Sequence, residues 1–348
     1  MRVLIVTLGS IGDLMPFLVV AERLRARGHQ CVIASNAGYA PLVQASGFAF
    51  AAIWERGTQS LDAALAHDPD AAWNQVRDQM LLPATEPTLR CIAHFVRETP
   101  GVVLASWSAF GAHQAHRQLG VPLASAYLSP HALTLPQAAD DPGAKIGLFP
   151  DWFAAVPPDV RSTGFPMHDD AAIPPLPPAL ETFLQEGAPP VVLTPGSFMR
   201  NAAGFFRAGL AACEQLGLRA VLLTPHADQA PALPAWARHY SYINLQRLLP
   251  RCAAILHHGG IGTAAQGLRA GVPQLLAPVF FDQFDNAARL EALGVGTRMA
   301  ALDAVEIAAA LQALLPAPAA CAALSARLAG TDAAAKVCDL LEALNAPS

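Results

Sequence analysis

Val3–Leu8 is a short apolar run in which Thr7 is the one polar residue, and after it Leu14–Arg27 spaces its apolar residues three and four apart until Gly28 stops the pattern. A strand with no polar alternation must be covered on both faces, and a following helix is what covers it. The same order recurs. Cys31–Ala34 reads as a second strand, and Val102–Ala105, Phe110–Leu119 and Leu123–Tyr127 as strand, helix and strand. A stretch punctuated by proline pairs, 157–190, interrupts the alternation, with a short helical pattern at Ala179–Glu186. A second series then begins: strand Val191–Thr194, helix Ala202–Leu216, strand Ala220–Thr224, strand Ala253–His257, helix Gly262–Ala270, strand Gln274–Ala277 and helix Phe284–Leu293. Helical patterns from Ala304, Ala319 and Asp332 close the chain.

This order predicts an α/β protein of two Rossmann-like, doubly wound domains. The first spans 1–165, a proline-rich linker 166–189, and the second 190–330, with a closing helix in 331–348 that packs back on the first domain. The 348 residues agree, because single cores stop growing near roughly 250. Only 14% of residues are charged, the formal charge is −5, and no lysine or arginine cluster occurs, which argues against a nucleic-acid partner. The six cysteines form no C-x-x-C pair and read as core residues in a reducing compartment. Gly9, Gly12, Asp13 and Pro16 break the opening apolar run, so it reads as strand and loop rather than as a signal peptide or membrane span. The expectation is a cytoplasmic protein, with room for weak membrane-surface association and for a homo-oligomer.

The strongest local signal is His257-His258-Gly259-Gly260-Ile261-Gly262-Thr263, entered by a strand and left by a helix. Glycines let the backbone approach a ligand, and a helix N-terminus presents unpaired N–H groups at the positive end of its dipole. A diphosphate suits such a site. A turn required only for packing would need the glycines but neither the histidine pair nor Thr263. The second signal is Gly271-Val272-Pro273-Gln274, Ala277-Pro278, then Asp282-Gln283 and Asn286. Asp282 and Gln283 fall at the carboxyl end of a strand, where open α/β sheets bind ligands, and a carboxylate beside a carboxamide can hold neighbouring sugar hydroxyls. Taken alone, Asp282 reads more readily as a cap for the helix that runs to Leu293.

Together these segments resemble the family 1 glycosyltransferases of GT-B fold, in their bacterial branch of antibiotic, sterol and rhamnolipid enzymes. The run from His257 to Gly296 carries the donor signature, and Gly9-Ser10-Ile11-Gly12-Asp13-Leu14-Met15-Pro16 matches the first loop of that family. Leu148-Phe149-Pro150-Asp151-Trp152-Phe153 and Thr163-Gly164-Phe165-Pro166 look most like the rhamnolipid rhamnosyltransferases. The resemblance implies two Rossmann-like domains facing a cleft, with a dTDP- or UDP-hexose of rhamnose or glucose type held by the second. It implies inversion at the anomeric carbon, no metal and no cofactor beyond the sugar nucleotide, and a hydrophobic or lipidic acceptor. His258, Gly260, Gly262 and Thr263 then fall on the diphosphate, Asp282 and Gln283 on the sugar, and Ser197 near both. Ile243, in Tyr242–Leu245, flanks the nucleobase. Gln266 faces the ribose where plant members carry glutamate, which is compatible with a thymidine donor.

On the same resemblance Asp13 is the general base that takes the acceptor proton. It could also cap helix Leu14–Arg27, and the two roles can coexist. Ser10, Ile11 and His131 fall on the acceptor side. His113 and His116, three apart on a helix, read as a satisfied surface pair rather than as metal ligands. Asp68-Pro69-Asp70 reads as a turn. The connection Leu133–Lys145 is short where the family carries further helices, which predicts an open acceptor site.

Two other functions fit parts of this sequence. A nicotinamide dehydrogenase needs G-x-G-x-x-G after the first strand and an acid ending the second; here the loop is G-x-x-G-D, and Ser35-Asn36 follow the second strand. A non-catalytic sugar-nucleotide-binding partner would not need Asp13, His258, Thr263, Asp282 and Gln283 together.

Overall fold

The structure is a computed structural model that describes the chain except residues 56–68, 170–172, 197–198, 200, 317–318 and 347–348, and the side chains of 69–72 and 98. It divides into two compact units, Met1–Met167 with Asp332–Ser348, and His168–Thr331.

The first unit is built on seven parallel strands: β1 (Arg2–Val6), β2 (Gln30–Asn36), β3 (Ala49–Trp54), β4 (Val102–Ser106), β5 (Leu123–Tyr127), β6 (Ala144–Gly147) and β7 (Val160–Ser162). Their order across the sheet is β3-β2-β1-β4-β5-β6-β7. The helices are α1 (Ile11–Ala26), α2 (Ala40–Ala45), α3 (Pro69–Val76), α4 (Thr85–Glu98), α5 (Phe110–Leu119) and the short α6 (Pro136–Ala139). Strands β4 and β5 are buried along their whole length, as continuous apolar sequence requires. Leu4, Val6, Val103, Ala105 and Leu123 share one face of the sheet with Ala84, Ile92, Phe95, Ala112 and Ala115 from the region of α4 and α5.

The second unit has six parallel strands: β8 (Val191–Thr194), β9 (Ala220–Leu223), β10 (Ala237–Tyr240), β11 (Ala254–His257), β12 (Gln274–Leu276) and β13 (Gly296–Arg298). They run in the order β10-β9-β8-β11-β12-β13. Its helices are α7 (Pro178–Gln185), α8 (Ala203–Gln215), α9 (Leu245–Leu248), α10 (Ile261–Ala270), α11 (Gln283–Ala292), α12 (Ala304–Leu314) and α13 (Ala319–Ala329). Alternate strand residues go to opposite faces. Val191, Leu193, Ala220, Leu222, Ala254 and Leu256 pack with α8 and α12. Val192, Val221, Leu223 and Ile255 pack with α7 and the α9 region.

The last helix, α14 (Ala333–Asn345), belongs to the first unit and lies against α1 and β4. Val337, Cys338 and Leu341 are fully buried there. Arg27 pairs with Asp339 and Glu342 at 2.7 and 3.1 Å, and Arg23 with Asp332 at 2.5 Å. These pairs are largely exposed, so the apolar face does most of the holding.

Several elements differ from the sequence expectation. β6, β7, β10 and β13 are short edge-side strands with no clear apolar run, β7 lies inside the proline-rich stretch, and β3, though apolar throughout, is an edge strand the helix–strand alternation did not mark. Helix α1 begins at Ile11, which places Asp13 in its first turn rather than before it. Asp68 lies outside the described residues, while Pro69 and Asp70 open α3 and so are not a turn. The surface assignment fails for His113, which is 5% exposed. His116 uses Nδ1 on the Val121 carbonyl at 2.8 Å.

His113 is buried beside the short connection that follows β5. Asp141, whose side chain is fully buried, lies with one carboxylate oxygen 3.4 Å from His113 Nε2. Ser125 Oγ donates to Asp141 at 2.8 Å, Tyr127 Oη at 2.7 Å and the Gly143 N–H at 2.9 Å. One carboxylate therefore pins the loop after α6 to the middle of β5, and the chain enters β6 without further helices. Replacing Asp141 by Ala should leave two buried hydroxyls unpaired and cost about 3 kcal/mol of stability in urea unfolding. A loss below about 1 kcal/mol would show that the loop is held by something else.

Candidate active site

In both sheets the strand order reverses beside the first strand of the series, between β1 and β4 and between β8 and β11. The loops leaving the carboxyl ends of such a strand pair diverge and open a ligand crevice. In the second unit those loops are Pro195-Gly196 and His258-Gly259-Gly260, with Thr194 and His257 paired across the two strands.

The second loop is held by its first residue. His257 is fully buried, and its Nδ1 accepts from the Gly259 N–H at 3.1 Å. Its Nε2 must then carry the proton, donated to Gln274 Oε1 at 2.9 Å, while Gln274 Nε2 donates to the Ala264 carbonyl at 3.2 Å. Burial pushes the His257 pKa down to about 3, so the ring is a neutral brace and not a ligand. Gly259 sits at φ +84°, and a Cβ there would stand 3.0 Å from the Gln283 carbonyl oxygen. His258 is confined by two glycines, since a Cβ at Gly196 would come within 2.7 Å of its ring and one at Gly260 within 2.4 Å. Its Nδ1 is buried with no hydrogen-bond partner among the described residues. Burial lowers its pKa to about 4, so it brings an N–H rather than a charge.

Gly260 occupies the N-cap position of α10 in extended conformation and has no side chain with which to close the helix end. The first N–H groups of α10 stay open beside the partly buried Thr263. No lysine or arginine occurs in 257–263 or 277–286, so an anion here would be held by backbone dipoles and hydroxyls.

The loop after β12 lies against this turn. Asp282 takes the N-cap position of α11 but makes no side-chain cap bond. Its Oδ2 accepts from Asn286 Nδ2 at 2.9 Å, one helical turn on. Gln283 Oε1 accepts from the Val279 and Phe280 N–H groups at 2.9 and 3.1 Å, which fixes the loop and leaves its amide hydrogens for a ligand. Phe281 is the one described non-glycine residue at positive φ, +51°. Along α10, Gln266 lies one turn beyond Thr263 and lines a cavity of about 360 Å³ with Gln246, Pro250, Arg269 and Ser325. Gln266 Oε1 is buried and unpaired among the described residues. The Ile243 side chain goes into the core, so only its backbone faces a ligand, whereas Tyr242 is exposed. Ser197 lies outside the described residues.

In the first unit, Asp13 is the third residue of α1 and closes a capping box. Its Oδ2 accepts from the Ser10 N–H at 2.7 Å and from Ser10 Oγ at 2.8 Å. Gly9, at φ +123°, admits this because a Cβ there would lie 2.5 Å from the same oxygen. The Asp13 backbone N–H also steadies the carboxylate. Burial raises the Asp13 pKa, partly opposed by the Ser10 bonds, so the carboxylate is a stronger base than a free aspartate. Ile11 opens α1 beside it, while His131 stands in the turn Pro130–Thr134 after β5. Among the described residues no three His, Cys, Asp or Glu side chains gather as a metal site requires. No single described helix is long and apolar enough to cross a membrane.

Comparison with known proteins bears on both units. Residues 3–135 match the glycosyltransferase family 28 N-terminal domain, and 219–342 the erythromycin biosynthesis protein CIII-like C-terminal domain. L-demethylnoviosyl transferase of Streptomyces niveus is 30% identical over 330 residues, covering 85% of this chain and 84% of the relative. The chain belongs to the bacterial natural-product glycosyltransferases of family 1. A further member, the O-mycaminosyltylonolide 6-deoxyallosyltransferase of Streptomyces fradiae, is 28% identical over 86% of this chain and 85% of its own length. The fold of this glycosyltransferase is GT-B. It matches spinosyn rhamnosyltransferase SpnG at a TM-score of 0.78 and 24% identity, over 98% of this chain and 100% of that one. The same neighbour has been solved with thymidine diphosphate and with spinosyn aglycone.

The His257 brace has a pH signature. Its pKa is about 3 folded and near 6.5 unfolded, so the unfolded chain binds the extra proton as pH falls below 6.5. The stability it contributes is complete above that value and lost toward acid, by about 2 kcal/mol at pH 5. Between pH 7 and 5 the unfolding free energy of a His257→Asn variant should fall less than that of the wild type. Equal losses would contradict a buried neutral ring.

Proposed function

We propose that this glycosyltransferase moves a hexose from a dTDP- or UDP-sugar to a hydroxyl of a natural-product or lipid acceptor, with inversion and without a metal. The observation that carries the reading is the open, uncapped N-terminus of α10 behind a glycine turn and a neutral histidine. It offers N–H donors and no fixed cation, which suits a leaving diphosphate whose charge grows in the transition state. The acceptor oxygen attacks the anomeric carbon as the bond to the diphosphate oxygen breaks, and the bonding pair leaves with the nucleoside diphosphate. Asp13 Oδ1 receives the acceptor proton while Oδ2 stays locked to Ser10. Thr263 and His258 add side-chain donors to the phosphates, and Asp282 and the Gln283 amide hold sugar hydroxyls. Gln266 offers its unpaired oxygen to a single ribose hydroxyl, which favours the 2′-deoxy nucleotide. The short, Asp141-pinned connection after β5 suits a large or lipid-borne acceptor.

The two possible duties of Asp13 separate cleanly. In Asp13→Asn the amide oxygen can still accept from the Ser10 N–H, so the cap survives while the base is lost. We expect kcat to drop by roughly 10²–10⁴-fold with the thermal stabilisation by dTDP or UDP unchanged. The acidic limb of the wild-type pH–rate profile should lie above the ordinary aspartate range and vanish in the variant. Undiminished turnover by Asp13→Asn would remove Asp13 from the chemistry.

A further inference from the structure

We infer that Asn286 is a positioning residue for the sugar half of the donor, because a single amide nitrogen ties the diphosphate turn to the sugar-facing carboxylate. Asn286 is fully buried in the first turns of α11. Its Nδ2 donates to the Gly259 carbonyl at 3.0 Å and to Asp282 Oδ2 at 2.9 Å. The orientation of the amide is fixed by its partners, since a flipped amide would set Oδ1 against a carbonyl and a carboxylate. Oδ1 itself accepts nothing among the described residues, so the two donor bonds alone set the side chain.

The arrangement completes a grip on one peptide residue. His257 holds the Gly259 N–H and Asn286 holds its carbonyl, so the turn that opens α10 is fixed at both ends. The second Asn286 bond extends that grip to Asp282, which follows the strained Phe281 at φ +51°. Strain of this kind costs about 1–3 kcal/mol and persists only where neighbours over-determine the backbone. The Gln283 carboxamide and Asn286 are those neighbours. Without the Asn286 amide, the His257–Gln274 brace still holds the Gly259 N–H and the start of α10, so the diphosphate would still meet that helix end, but Asp282 would lose its register against it. A misplacement near 1 Å is worth about 10²-fold in rate.

The inference rests on the donor assignment above, and the experiment separates the two. Variants Asn286→Asp and the near-isosteric Asn286→Leu are compared with wild type in two measurements. One is the Kd of dTDP and UDP by calorimetry, and the other is KM and kcat with the sugar nucleotide. Affinity for the bare diphosphates should stay within about threefold, while kcat/KM for the sugar nucleotide falls at least about tenfold in both variants. In Asn286→Asp a new carboxylate faces Asp282, so sugar discrimination should suffer more than in Asn286→Leu. Parallel losses in both measurements, no loss in either, or failure of both variants to fold would make Asn286 purely structural and overturn the inference. A wild-type chain that binds neither diphosphate would instead overturn the donor assignment beneath it.

Discussion

The peptide of Gly259 is the point on which the glycine turn of the second unit depends. Its N–H is held by the neutral ring of His257 and its carbonyl by the Asn286 amide, at a φ that only glycine takes without strain. From this residue the backbone turns into α10 with an extended Gly260 and an uncapped helix end. Behind it, Gln274 spans from His257 to the Ala264 carbonyl, so the brace is anchored both in β12 and in α10 itself. The N–H groups that face a ligand are therefore oriented before any ligand arrives, which is what electrostatic preorganisation requires.

The absence of lysine and arginine from 257–263 and 277–286 gives the site its character. An anion seated there would meet backbone dipoles that are already oriented, so no reorganisation is needed as its charge grows. Burial keeps His258 neutral as well, so its ring has hydrogen bonds and no charge to offer. Asp13 is treated in a related way in the first unit. One oxygen is spent on Ser10 to fix the side chain, and burial raises the pKa of the carboxyl group.

How much of this was legible in the sequence depends on the distance over which each feature acts. The central strands were readable because burial on both faces leaves apolar runs such as Val3–Val6 and Val191–Leu193. The outer strands β10 and β13 were not, because Ala237–Tyr240 and Gly296–Arg298 are short and partly polar and are strands only through pairing with neighbours. The glycine turn announced itself by composition. The division of labour between His257 and His258 did not, since it depends on Gln274, seventeen positions away along the chain. Asn286 carried a local signal, its spacing of four from Asp282, but its bond to Gly259 is long-range. Asp141 and His113 looked like loop and surface residues because nothing local reveals that a shortened connection is pinned into the sheet.

The central claim is that a nucleoside diphosphate seats on the N-terminus of α10. A crystal structure of the chain soaked with dTDP or UDP tests it most directly. The account predicts phosphate oxygens within hydrogen-bond distance of the backbone N–H groups at Ile261–Thr263, with a His258 ring nitrogen and the Thr263 hydroxyl completing the shell. A diphosphate bound elsewhere on the second unit, with that helix end still in contact only with solvent, would contradict it.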